Sequence, residues 1–149
     1  PMFRRSGRIL RVHQGAGGVV RGERLGPYRL EAELGSGGMG TVYRARAVEP
    51  APPVAVGTTV ALKLVHPHLV TRADGLARLR REAELGGRVV HAHVGRTFGA
   101  DAADFGGHAQ PYLVMEYVEG RTLNALLDEL HHVPEELCWH IGREVVKGL

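Results

Sequence analysis

The sequence is poor in the residues that stitch or anchor a chain. Only one of its 149 residues is cysteine, Cys138, so an internal disulfide and a cysteine-based zinc site are both excluded. Aromatic residues make up 5%, which leaves the core to aliphatic side chains. No run of 18 or more apolar residues occurs, so no segment has the length of a membrane-spanning helix. The opening PMFRRSGRILRVHQ is basic but lacks the apolar stretch of a secretory signal. These absences point to a cytoplasmic protein and leave open a C-terminal anchor in a longer chain.

The remaining composition is ordinary: 44% hydrophobic and 23% charged residues, with 21 glycines that favour turns. The net charge of +3 is unevenly placed. Residues 1–30 hold seven arginines and one acid, whereas residues 31–149 hold 12 basic and 15 acidic residues. The basic surplus therefore belongs to residues 1–27, read as a disordered leader without sustained periodicity. A basic leader can touch nucleic acid or anionic lipid. A solvated linker accounts for it as well, and no nucleic-acid partner is expected.

From Tyr28 onward the pattern becomes regular. Tyr28, Leu30, Ala32 and Leu34 alternate with polar residues, the period of a half-buried strand. A glycine-rich segment, Gly35 to Gly40, follows, then a second strand over 41–46, a Pro-rich loop over 49–57 and an apolar third strand over 58–65. Residues 74–90 are expected to form a helix with Leu76, Leu79, Ala83 and Val90 on one face, weakened in its second half by Gly86-Gly87. A strand over 94–100, a polar loop over 101–110 and a strand over 111–118 come next. Helices over 122–130 and from Pro134 onward close the chain. Antiparallel strands with one inserted helix make an α+β lobe.

Three elements carry chemistry. The segment GSGGMGTV (Gly35 to Val42) fits G-x-G-x-x-G-x-V; its glycines let backbone N–H groups approach phosphate oxygens without interference from a Cβ. A dinucleotide-binding turn uses similar glycines but runs directly into a helix, and a Walker A loop ends in Gly-Lys-Ser/Thr; neither applies. Roughly 20 residues on, Val60-Ala61-Leu62-Lys63 lies on a strand. Alternation puts Ala61 and Lys63 on one face, where a small residue can cover a flat base and a lysine can reach phosphates. The blander reading is a lysine that merely snorkels from an edge strand. Finally, at about 100° per residue from Leu79, Glu82 falls near −60° and Glu84 near +140° of an apolar face centred near +20°. Glu82 is thus the better candidate to hold Lys63.

GSGGMGTV, VALK and RREAE together resemble the N-terminal lobe of bacterial Hanks-type serine/threonine kinases over residues 28–149. LGPYRLEAEL resembles that family's first strand and YLVMEYVEGRTL its hinge. The resemblance implies a five-stranded antiparallel sheet plus one helix in residues 28–120, followed by the first helices of a second lobe in residues 121–149. It implies an ATP site in which Gly35, Ser36, Gly37, Gly38, Met39 and Gly40 cover the phosphates. Leu34, Val42 and Ala61 would sandwich adenine. Met115 would be the gatekeeper, and Glu116 and Val118 would offer backbone groups to the base. Lys63 would orient phosphates with Glu82 holding it, for transfer of the γ-phosphoryl group of Mg-ATP to Ser or Thr hydroxyls of protein substrates. The magnesium ligands and the catalytic loop would lie beyond Leu149, with His-Arg-Asp expected within roughly 10–20 residues in signature order, so the chain as it stands is expected to lack activity. A pseudokinase or a nucleotide-binding regulatory module is the alternative.

Two departures concern loop shape: His91-Ala92-His93-Val94 replaces the family's frequent His-Pro, and the Pro-rich insert is long. Asp104-Phe105-Gly106 spells the family's metal-binding triplet but precedes the hinge, and is read as chance. The pairs His66/His68, His91/His93 and His131/His132 suggest a metal only superficially. No third ligand stands at a spacing that would close a site, so no metal site is assigned.

Overall fold

The computed structural model describes residues 22–70, 74–130 and 132–149; most of the basic leader, and His131, lie outside them. Among the described residues there are six strands, β1 (Arg24–Leu25), β2 (Tyr28–Gly37), β3 (Gly40–Ala47), β4 (Thr59–Val65), β5 (Thr97–Phe105) and β6 (His108–Glu116). The helices are α1 (Gly75–Gly87), α2 (Leu123–Glu129) and α3 (Glu135–Lys147), with a short 3-10 turn at Pro67–Leu69. The strands form one antiparallel sheet in the order β1-β2-β3-β4-β6-β5.

The expected five-stranded sheet thus gains a sixth strand, drawn from residues 24–25. Arg24 and Leu25 pair with Arg29 and Tyr28, and Leu25 is fully buried. A two-residue strand has no period to read; only its pairing and burial define it.

The sheet's apolar face forms the core. Leu30, Ala45, Val60 and Leu62 are among its most buried side chains, joined by Tyr28, Tyr43, Tyr112 and Val114. The sheet curls until β1 touches β5. At that seam the Tyr28 and Tyr112 rings meet edge-on at 6.0 Å, a favoured aromatic geometry. The Pro-rich insert is pinned rather than loose: an Ala51–Val54 bridge closes it and Val54 enters the core. On the outer side of β2 and β3, Glu31 pairs with both Arg44 and Arg46 at 3.0 Å.

Helix α1 ends at Gly87, so Val90 is not part of its apolar face; it is exposed beyond the helix end. Gly86-Gly87 does not break the helix. A Cβ on Gly87 would lie 2.9 Å from the Thr97 carbonyl oxygen and one on Gly86 3.3 Å from the Thr97 hydroxyl. The pair lets the helix lie directly on β5, where Arg80 also pairs with Asp101.

The segment 101–110, expected as a loop, is largely strand. β5 runs through Asp101 and Asp104 to Phe105 and turns at Gly106-Gly107 into β6. Both glycines have positive φ (63° and 82°), as a two-residue hairpin turn demands. The aspartates mislead because β5 is an edge strand, where charges are tolerated and discourage further pairing.

Thr122 caps α2 by accepting a hydrogen bond from the Ala125 N–H at 3.1 Å. Helix α3 starts after Pro134 with Glu135 and Glu136 in its first turn and Lys147 in its last, matching the helix dipole. Along α3 and just past it, Leu137 and Ile141 are half-buried, while Val145 and Leu149 are exposed. Among the described residues, no helix is long and apolar enough to cross a membrane.

Candidate active site

The glycine segment is the tip of the β2–β3 hairpin. Gly37 pairs with Gly40, and Gly38-Met39 makes a two-residue turn between them. Ser36 pairs with Thr41 and Gly35 with Val42, after a register shift at Leu34. The glycines are there for different reasons. Gly40 has φ +149°, and any Cβ on it would collide with the Leu64 carbonyl; the fold itself requires glycine. Around Gly35, Gly37 and Gly38 a Cβ would meet nothing within 4 Å. No neighbouring atom demands glycine there, so the tip presents bare backbone to open space.

Strand register assembles the rest. Val42 faces Lys63 across β3–β4, Arg44 faces Ala61, and Ala61 faces Met115 across β4–β6. Directly opposed residues share a face, so Val42, Ala61, Lys63 and Met115 lie on one surface, the side opposite Leu62 and Val114. Ala61 is buried, whereas Val42, Lys63 and Met115 are half-buried. The Lys63 Nζ lies 4.0 Å from the Met39 Sδ, beneath the hairpin tip. Leu34 is about half exposed, at 49%.

Arg44 shares this surface and was not singled out from the sequence, although counting by two from Val42 reaches it. Its partner Glu31 is held below the usual carboxylate range, first by the hydrogen bond from Arg46. Burial opposes that effect, and the charges of Arg46 and Arg44 reinforce it.

At the hinge, the Glu116 N–H donates to the Arg96 carbonyl at 2.8 Å, and its carboxylate accepts from the Arg96 N–H at 3.0 Å. The Glu116 N–H is therefore already committed within the lobe. Val118 lies past the end of β6 and is exposed.

Glu82 is not brought to Lys63. It accepts from the Arg78 Nε at 2.9 Å on the exposed side of α1, and its ion pair is with that arginine rather than with the lysine. A cleft of about 350 Å³, lined by Val65, Leu69, Val70, Arg78, Leu79 and Glu82, lies between the end of β4 and the helix. Glu84 pairs with Arg88 at 3.0 Å, away from the site.

Asp104-Phe105-Gly106 sits at the tip of the β5–β6 hairpin. The His66 and His68 rings stack at 5.5 Å, and those of His91 and His93 lie 5.4 Å apart. Among the described residues no three metal-ligating side chains converge.

A lysine beneath a glycine hairpin, on one face of an antiparallel sheet flanked by a single helix, is the arrangement of a protein kinase N-terminal lobe. The protein kinase domain family matches residues 28–149, and the chain belongs to that family, in its bacterial serine/threonine branch. It is 36% identical over 104 residues to the serine/threonine-protein kinase PksC of Streptomyces coelicolor, spanning 70% of this chain and 18% of PksC. It is 35% identical over 129 residues to the serine/threonine-protein kinase PknD of Mycobacterium tuberculosis, spanning 86% of this chain and 18% of PknD. Its fold resembles the crystal structure of the Mycobacterium tuberculosis PknI kinase domain, with a TM-score of 0.62 at 24% identity over 87% of this chain and 49% of that one. The chain thus covers less than a fifth of these two curated relatives and about half of a solved kinase domain.

Proposed function

We propose that this chain is the ATP-binding part of a serine/threonine protein kinase that transfers the γ-phosphoryl group of ATP to Ser or Thr hydroxyls of proteins. Residues 28–120 form its nucleotide lobe and 121–149 the start of the substrate lobe. The observation that carries the reading is the register placing Val42, Ala61, Lys63 and Met115 on one surface under the glycine hairpin.

The glycine hairpin, Gly35 through Gly40, covers the phosphates. The Lys63 ammonium neutralises phosphate charge, which counts for more near a low-dielectric face than in water. Leu34, Val42 and Ala61 enclose adenine, Met115 limits the depth of its pocket, and the Glu116 carbonyl and Val118 backbone meet the base edge. When α1 swings inward, Glu82 exchanges Arg78 for Lys63 and fixes the ammonium, the pair on which kinase activity depends. Magnesium would be held mainly by groups outside this chain and would neutralise the phosphates further. The reaction belongs in the cytoplasm, where ATP is supplied.

The test is Lys63→Met in the full-length protein. Phosphotransfer should fall by roughly a hundredfold or more, on the scale of losing one preorganised charge-stabilising group. The circular dichroism spectrum and melting temperature should stay near wild type, because Lys63 is only half-buried. Undiminished turnover would overturn the assignment.

A further inference from the structure

The end of β4 grips the glycine turn twice through a single residue. The His66 backbone N–H donates to the Met39 carbonyl at 3.2 Å, one step past the Gly40–Val65 pair that ends the β3–β4 ladder. The His66 side chain reaches farther, placing its Nε2 3.3 Å from the Gly37 carbonyl oxygen. A carbonyl only accepts, so the imidazole donates there, as the Nε2–H tautomer or as imidazolium. His66 thus straps β4 to both sides of the hairpin tip: to Met39 in the turn and to Gly37 on β2.

The ring is held for this task. Pro67 follows His66, which restricts the His66 backbone to extended geometry, and its φ of −57° and ψ of 128° comply. On one side the ring stacks on His68, with the planes 16° apart. The turn, by contrast, has little to steady it. Gly35, Gly37 and Gly38 have no close neighbours at the Cβ position, and Met39 is 63% exposed. Apart from the hairpin's own ladder, its height over the site is set by what β4 offers.

We infer that His66 is a positioning residue that fixes the height of the glycine turn over the nucleotide phosphates. The inference rests on the nucleotide reading of the site. His66 lies one residue past β4 and touches the turn only through the Met39 and Gly37 carbonyls, so its loss loosens the grip on ATP more than it slows the chemistry.

The test uses the full-length kinase and compares wild type, His66→Ala and His66→Gln, a glutamine retaining an N–H donor. ATP dissociation constants, KM for ATP, kcat and melting temperature are measured for each. His66→Ala should raise the ATP dissociation constant and KM about fivefold, the worth of one exposed hydrogen bond. Its kcat should stay within about twofold and its melting temperature near wild type, since an exposed hydrogen bond contributes little to stability. His66→Gln should recover most of the affinity. Unchanged ATP affinity in His66→Ala overturns the inference, as do equal losses in both variants or a fall in kcat alone. Those results leave the nucleotide site standing if the wild type binds ATP. Failure of the wild type to bind ATP removes the nucleotide reading and this inference with it.

Discussion

Gly40 and the Leu64 carbonyl are packed so tightly that a side chain on Gly40 has no place to go; its Cβ would also come within 3.1 Å of the Val65 Cα. Three residues earlier, at Gly37, the same Cβ would touch nothing. The two glycines of one motif should therefore fail differently. Gly40→Ala combines a clash against backbone with a positive φ and should cost about 2–3 kcal/mol of stability. Gly37→Ala should leave the urea midpoint nearly unchanged and weaken ATP binding instead. Equal midpoints for both variants would contradict this division.

Glu82 and Glu84 stand on exposed ion pairs with Arg78 and Arg88, and exposed pairs contribute little to stability. Neither Glu82→Gln nor Glu84→Gln should shift the melting temperature appreciably. In full-length kinase, Glu82→Gln should lower kcat/KM by roughly tenfold or more, because it removes the carboxylate that is to fix Lys63. Glu84→Gln should have almost no effect. The reverse order would mean that the helix presents the other glutamate to the site.

Burial, and secondarily the Asp101 carboxylate, push the Tyr112 hydroxyl up from 10.0 to about 12. The folded protein keeps this proton where the unfolded chain releases it, so the group's contribution to stability is whole below about pH 10 and is lost as pH rises toward about 12. Tyr28, packed against it, is raised as well, chiefly by burial. Urea denaturation from pH 8 to 12 should show the decline. Tyr112→Phe should flatten it by on the order of 1–3 kcal/mol at the upper end. An alkaline slope identical in both proteins would show that Tyr112 is not the group responsible.

What could be read from the sequence was what repeats locally. The alternation at Tyr28 and Leu30, the glycine segment and the apolar run around Lys63 report strands whose side chains obey a period of two. The register then brings Val42, Ala61, Lys63 and Met115 to one surface. What depended on distant neighbours was not legible. Leu25 is core only because the chain folds back on Tyr28. Asp101 sits in a strand because Tyr112 pairs with it and Arg80 of α1 answers its charge. Gly86-Gly87 reads as a weak helix until Thr97 is seen against it. The helical phase placed Glu82 near the buried edge, but phase gives angle and not distance. Lys63 lies on β4, whereas Arg78, one turn away on the same helix, is the nearer partner.

The core cluster is drawn entirely from strands and the loop that carries Val54; no residue of α1 belongs to it. The helix rests mainly on β5, through Gly86 and Gly87 against Thr97 and through Arg80 against Asp101. Mechanically, the sheet is a chassis and the helix a part bolted to its edge strand. On the proposed function, a shift of that part would move Glu82 while the strand-built core stays as it was.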